Sequence, residues 1–213
     1  MFKILFNFLF PKNEMIVIYD KINKDALEKF TRQTLYGTET ECLAPFSYKE
    51  KAIKNAIYAC KYHSHKKTAV LLGEILSPHL AEELADKRMF ETFIKPIIVP
   101  VPLHKERLLG RGFNQAERIS KALINSICDD GVTLRTDILV RVKKTKSQAH
   151  NKNRRERFEN MKNAFNVEKI KDVYEKDIIL LDDVVTTGAT LSSAKKTLEK
   201  AGARNVLCVA VAH

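Results

Sequence analysis

Four compact apolar runs mark the second half of the chain: IIVPV at 97–101, DILVRV at 137–142, DIILLDD at 177–183 and NVLCVAVA at 205–212. Each is rich in β-branched residues and too short for a buried helix, so each predicts a strand. Between them the apolar positions switch to helical spacing, over 115–127 and again over 189–201. The second helix closes on Ala-Gly-Ala, where Gly202 suits a C-cap. Strands and helices in alternation predict an α/β fold, and the unbroken run in DIILL suits a central parallel strand covered on both faces. The first half has a different texture. Ile53, Ile57 and Cys60 recur at helical spacing, and Leu71, Leu72, Ile75, Leu80 and Leu84 predict a second helical region broken near Pro78. Ahead of them, MIVIY at 15–19 reads as a short strand and 24–35 as a charged helix. Residues 1–45 then form an amino-terminal addition or small subdomain, and 46–213 the main domain.

Composition narrows the class. The chain has 213 residues, 45% of them hydrophobic, enough for one domain with a substantial core. The opening MFKILFNFLF is apolar but short, lacks a basic stretch before it and has no small-residue cleavage site after it, so it does not read as a signal peptide. Phe2 to Leu9 are expected to dock on the domain, with a membrane surface or a partner groove as alternatives. No later run reaches the length of a spanning helix, which predicts a cytoplasmic protein, with the neighbourhood of the inner membrane left open. The four cysteines, Cys42, Cys60, Cys128 and Cys208, contain no CxxC pair. A disulfide framework is thereby excluded, and Cys42, Cys60, His63 and His65 make too irregular a set to predict structural zinc.

Charge is concentrated in one place. Of the net +11, +7 lies between Arg141 and Lys162, where nine Lys or Arg stand against Glu156 and Glu159. Such a stretch predicts a solvated loop or helix and a polyanionic or phosphorylated partner.

The richest chemistry sits in Ile178 to Thr190, IILLDDVVTTGAT, where an apolar strand stops at two acids, turns through small residues and enters a helix. In open α/β sheets ligands bind beyond that edge of the strands. Asp182 and Asp183 there can accept hydrogen bonds from sugar hydroxyls or help organise Mg²⁺. Val185, Thr186, Thr187, Gly188, Ala189 and Thr190 can surround a phosphate with backbone N–H groups, hydroxyls and a helix N-terminus. The GxxxxGK[ST] spacing of an ATP-binding loop is absent. Acids first and cradle second argue for a sugar phosphate.

This segment resembles the 5-phosphoribosyl-1-diphosphate (PRPP) signature of the phosphoribosyltransferase superfamily. The resemblance extends through VPVPLHKERLLGRGFNQAE at 99–117, LVRVKKTKSQAHNKNRRERFENMKNAF at 139–165 and the terminal LEKAGARNVLCVAV, and together these are similar to the competence protein F, or ComF-type, family. It implies a type I phosphoribosyltransferase-like fold, a mostly parallel sheet flanked by helices. It also implies Asp182 and Asp183 at the ribose hydroxyls and associated Mg²⁺, and residues 185–190 around the 5-phosphate. Val101, Pro102 and the neighbouring Leu103 would lie beside pyrophosphate, with Lys105, Arg107 and Arg111 as cationic candidates. Pro102 and Phe113 read as scaffold, Arg107 and Arg111 equally as ligand contacts or solvated charge, and Asn114 and Gln115 as loop-orienting residues.

The basic segment admits two uses. Arg141, Lys143 and Lys144 could close over pyrophosphate, or Lys143, Lys144, Lys152, Arg154, Arg155 and Arg157 could track single-stranded DNA, as the implied role in natural transformation suggests. A plain solvated helix is the third reading, and Phe158 alone makes no stacking platform. Two function classes stay open: a Mg²⁺-dependent phosphoribosyltransferase, a glycosyltransferase acting on an unknown nitrogenous acceptor with release of pyrophosphate, and a non-catalytic PRPP-responsive factor that binds single-stranded DNA and works with DNA-uptake or recombination proteins.

Overall fold

A computed structural model describes residues 34–35, 40–62, 66–90, 92–144 and 154–213. The elements in chain order are β1 (Thr34–Leu35), β2 (Cys42–Leu43), α1 (Lys51–Tyr62), α2 (Lys66–Phe90), β3 (Ile97–Pro100), α3 (Lys105–Arg111), α4 (Gln115–Ser126), β4 (Thr133–Leu134), β5 (Leu139–Arg141), α5 (Arg154–Met161), β6 (Phe165–Val167), β7 (Asp177–Val184), α6 (Ala189–Lys200) and β8 (Asn205–Ala212). Six strands form one sheet in the order β1-β2-β8-β7-β3-β4, parallel except for the β1–β2 pair. This is the mostly parallel α/β sheet flanked by helices that the strand–helix alternation predicts.

Alternation along β7 builds two cores. Ile179 and Leu181 face a layer made by α1, α2 and α4, with Ile53, Ile57, Leu72, Leu76 and Ile119. Ile178 and Leu180 face the opposite layer, where Leu198 of α6, Leu139 of β5 and Phe165 of β6 pack. Residues 177–181 are all buried, which accounts for an apolar run with no polar face.

Several elements differ from expectation. The region around Pro78 is not broken: α2 runs through it for 25 residues. An interior proline costs about 3 kcal/mol, whereas burying each of Leu72, Ile75, Leu76, Leu80 and Leu84, all at most 1% exposed, contributes roughly 1.5–3 kcal/mol. Packing wins. The run at 137–142 forms a strand, but outside the main sheet, pairing antiparallel with β6. Its sequence turns polar at Arg141, and Val142 is exposed, which a doubly covered central strand does not allow. The main sheet instead takes β4, a two-residue edge strand. Thr34–Leu35, the end of the expected helix over 24–35, is a strand; the rest of that helix, MIVIY and Phe2 to Leu9 lie outside the described residues. Cys42–Leu43, within the amino-terminal section, pairs parallel with β8. Among the described residues no helix is long and apolar enough to cross a membrane.

Candidate functional site

The chain proceeds from β3 outward to β4 and later returns to β7 on the other side of β3. Connections therefore diverge between β3 and β7, opening a crevice at the carboxyl ends of these strands. The strand-end turn after β3 is held from both sides: the Val101 N–H donates to the Leu181 carbonyl at 2.8 Å, and the Val101 carbonyl accepts from Asn114 Nδ2 at 3.0 Å. Asn114 also caps α4, its Oδ1 accepting from the Ala116 N–H at 3.1 Å. One buried side chain thus ties the VP turn to the RGFNQ segment.

β7 ends in the two acids. Asp182 follows the parity of Ile178 and Leu180 and is partly exposed; Asp183 follows Ile179 and Leu181 and is 4% exposed. Asp182 Oδ1 accepts from the Asp183 N–H at 2.8 Å. Beyond them, the Val185 N–H donates to Ala212 at 2.9 Å, and Gly188 turns the chain with φ +79° before α6 starts. A residue with a Cβ is strained in that left-handed conformation, which explains glycine here. Asp182, Val185, Thr186, Gly188, Ala189 and Thr190 line one small cleft. Thr187 Oγ1 is buried, and no described group hydrogen-bonds to it.

Burial, and then the charge of Asp183, push the Asp182 carboxyl above the usual carboxylate range, with the Asp183 N–H and then Lys61 opposing the shift. Burial and then Asp183 likewise raise the Cys60 thiol to about 12, opposed by Arg118, Arg111 and Lys61. These groups therefore share one electrostatic neighbourhood at the end of β7. Burial lowers the Arg141 pKa, Arg107 lowers it further and Asp182 opposes, so the Arg141 guanidinium feels both Arg107 and Asp182. The site joins a carboxylate pair, a small-residue loop at a helix start and a rim of guanidinium groups. That combination suits a polyol carrying phosphates.

A family model described as "Phosphoribosyl transferase domain" matches residues 108–213. The chain is 34% identical over 121 residues to "Competence protein F" of Haemophilus influenzae, covering 56% of this chain and 51% of that protein. It is 31% identical over 150 residues to "DNA utilization protein YhgH" of Salmonella typhimurium, covering 70% and 62%. It is 33% identical over 138 residues to "Competence protein ComFC" of Streptococcus pneumoniae, covering 64% and 54%. The chain is similar to ComF-type competence proteins, and its second half matches the phosphoribosyl transferase domain family. It matches between about half and about three fifths of the length of these relatives.

The other expected site residues divide clearly. Arg111 donates to Gln115 Oε1 across the α3–α4 junction, and the Arg118 guanidinium lies 3.6 Å over the Phe113 ring, so Phe113 acts as scaffold. Lys105 opens α3, exposed. Arg141 is tucked under the β5–β6 pair, 5.6 Å from the Phe165 ring centroid, with Nη2 3.5 Å from Met161 Sδ. Lys144 pairs with Glu106 of α3 at 2.5 Å, and Lys143 Nζ donates to the Lys162 carbonyl at 3.4 Å. Arg155 is exposed and Arg157 half-buried on α5; Lys152, His63, His65 and the Arg154 side chain lie outside the described residues. One charged residue was not anticipated. Lys61 of α1 reaches Asp183 Oδ2 at 3.3 Å; its only sequence signal is its place one residue beyond the buried Ile53, Ile57 and Cys60 stripe.

Proposed function

We propose that this protein binds PRPP at the carboxyl edge of its sheet and serves DNA uptake in natural transformation. The observation that carries the reading is the single cleft joining Asp182 to the 185–190 loop, with the buried Thr187 hydroxyl beside it awaiting an acceptor. Loop N–H groups and Thr186, Thr187 and Thr190 would hold the 5-phosphate, and Asp182 and Asp183 the ribose hydroxyls. Arg107 and Arg111 would face the pyrophosphate, with Val101 and Pro102 shaping its seat and Lys105 and Arg141 at the rim. The names of the relatives, competence and DNA utilization proteins, support the DNA-uptake role.

The donor set fits Mg²⁺ carried by the substrate. Two carboxylates are hard oxygen ligands, yet among the described residues no group of three or more His, Cys, Asp or Glu is placed to hold a metal by itself. Phosphate oxygens and water would complete the shell. When bound, the ion stabilises charge on departing pyrophosphate. The chain's own contribution is to fix the ribose, exclude water around C1 and offer cationic groups to the leaving group while an acceptor nitrogen attacks. Product formation that depends on an added acceptor separates a transferase from a PRPP-responsive binding factor.

Calorimetry with PRPP and Mg²⁺ tests the binding reading. Asp182→Asn combined with Asp183→Asn should weaken affinity by about 100-fold or more, since each lost charged hydrogen-bond acceptor costs roughly 1.5–3 kcal/mol. Unchanged affinity in the folded double variant would refute it.

A second component concerns single-stranded DNA. α5 carries Arg154, Arg155 and Arg157 in two turns and buries only Met161 of its described side chains, so its outer surface is basic. With Lys143, Lys144 and Lys152 nearby in sequence, this segment would follow a phosphate backbone in a cytoplasmic setting.

A further inference from the structure

Adjacent residues of a strand point to opposite faces, so the two acids of β7 pack against different layers. Asp182 turns toward the layer of α6 and lines the cleft with the phosphate-loop residues. Asp183 turns toward the layer of α1, α2 and α4, where its side chain is 6% exposed. No described donor hydrogen-bonds to Asp183 Oδ2. What faces that oxygen is the Lys61 ammonium, 3.3 Å away on a side chain 31% exposed. A buried carboxylate without a nearby cation is unfavourable, and it would turn out of the layer.

Lys61 is held where it is by the fold. Ile53, Ile57 and Cys60 seat α1 on the sheet, and the chain leading into α1 is stitched to the end of β8. The Tyr48 N–H donates to the His213 carbonyl at 2.7 Å, and the His213 N–H donates to the Phe46 carbonyl at 3.0 Å. The ammonium therefore arrives at Asp183 from a helix anchored to the same sheet. It also lies outside residues 108–213, the stretch matched by the domain family.

We propose that Lys61 is a positioning residue of this site, an ammonium whose ion pair fixes the orientation of the Asp183 carboxylate at the end of β7. The inference rests on the PRPP reading above. Lys61 acts through Asp183 and contributes to sugar recognition, whereas the 185–190 loop recognises phosphate without it. Helix α1 is thereby part of the ligand site rather than only a cover for the sheet.

Two small probes separate these roles: ribose 5-phosphate, which carries the sugar hydroxyls, and inorganic phosphate, which carries none. Both are titrated calorimetrically into the full chain in metal-free buffer. Lys61→Met should weaken ribose 5-phosphate binding about tenfold and leave phosphate binding within about twofold, and Lys61→Arg should restore most of the sugar affinity. Lys61→Met added to Asp183→Asn should weaken binding no further than Asp183→Asn alone, because the two act as one unit. Lys61→Gln replaces Lys61→Met if the latter does not fold. Unchanged ribose 5-phosphate affinity, a parallel loss of phosphate affinity, or losses that multiply in the double variant would each overturn the proposal. A wild-type protein that binds neither probe would overturn the PRPP reading together with it, whereas sugar binding indifferent to Lys61 would overturn this inference alone.

Discussion

β7 carries a third carboxylate at its other end, and its removal should damage the fold while sparing the ligand site. Asp177 is 1% exposed. It accepts from the Ile94 N–H at 2.6 Å, from Arg204 Nε at 2.9 Å and from Asn205 Nδ2 at 2.9 Å, and Arg204 Nη2 also pairs with it. These contacts tie the segment before β3 and the start of β8 to the start of β7. Asp177→Ala strands the Ile94 N–H, a loss of about 1–2 kcal/mol. Arg204 is 40% exposed, so it regains water and its share is small. Asn205 keeps its bond to the Thr92 carbonyl at 3.0 Å. The expected cost is about 1–2 kcal/mol, or roughly 2–8 °C in Tm for a chain of this length.

Thermal melts by circular dichroism read that loss directly, and pH supplies a second axis. Burial pushes the Asp177 carboxyl up, but Arg204, the Ile94 N–H and Asn205 outweigh it and hold its pKa below the usual 3.8. A depressed carboxylate stabilises the fold above its unfolded pKa and loses that contribution as pH falls through the folded value. The gap between wild type and Asp177→Ala should therefore persist through neutral pH and begin to narrow only below about pH 4. A Tm loss under about 2 °C at neutral pH would refute the anchoring role, as would a gap that does not change in acid. Reduced PRPP affinity in a variant of unchanged Tm would refute the separation of the two strand ends.

Gly73 is a second structural test. A Cβ there would lie 2.6 Å from both Ala122 Cβ and the Leu123 backbone nitrogen, so Gly73→Ala should lower the denaturant midpoint despite a helix-propensity gain of about 1 kcal/mol, because α2 and α4 must separate; an unchanged or raised midpoint would refute the close-packing account. For nucleic acid, replacing Arg154, Arg155 and Arg157 with Gln should weaken single-stranded DNA binding and flatten its salt dependence by roughly two to three counterions. An unchanged salt slope would place the footprint elsewhere.

Legibility followed contiguity. β3, β7, β8, α4 and α6 were readable because each carries its own period over enough residues, with Gly202 taking φ +90° just past the end of α6. β4 was not, since two edge residues have no period to detect. The run at 137–142 was readable as a strand but not as a member of a separate pair, because strand pairing depends on Phe165–Val167 and leaves no local mark. Pro78 misled because its local cost is visible in sequence, while the packing of five large apolar side chains that outweighs it is tertiary.

The segment from Asp182 to Thr190 shows the same boundary inside the candidate site. A strand end, a loop and a helix start are consecutive, so their assembly into one cleft could be anticipated from order alone. The difference between the two acids could not. In sequence Asp182 and Asp183 are a pair, yet strand parity sends one to the cleft and the other into the opposite layer, where the charge it meets comes from α1. Parity was available from the sequence; what lay on each face was not. A doubled acidic motif on a buried strand therefore predicts two different packing environments. The partner of the more buried acid has to be sought in whichever helix layer its parity selects, which in this chain leads to Lys61.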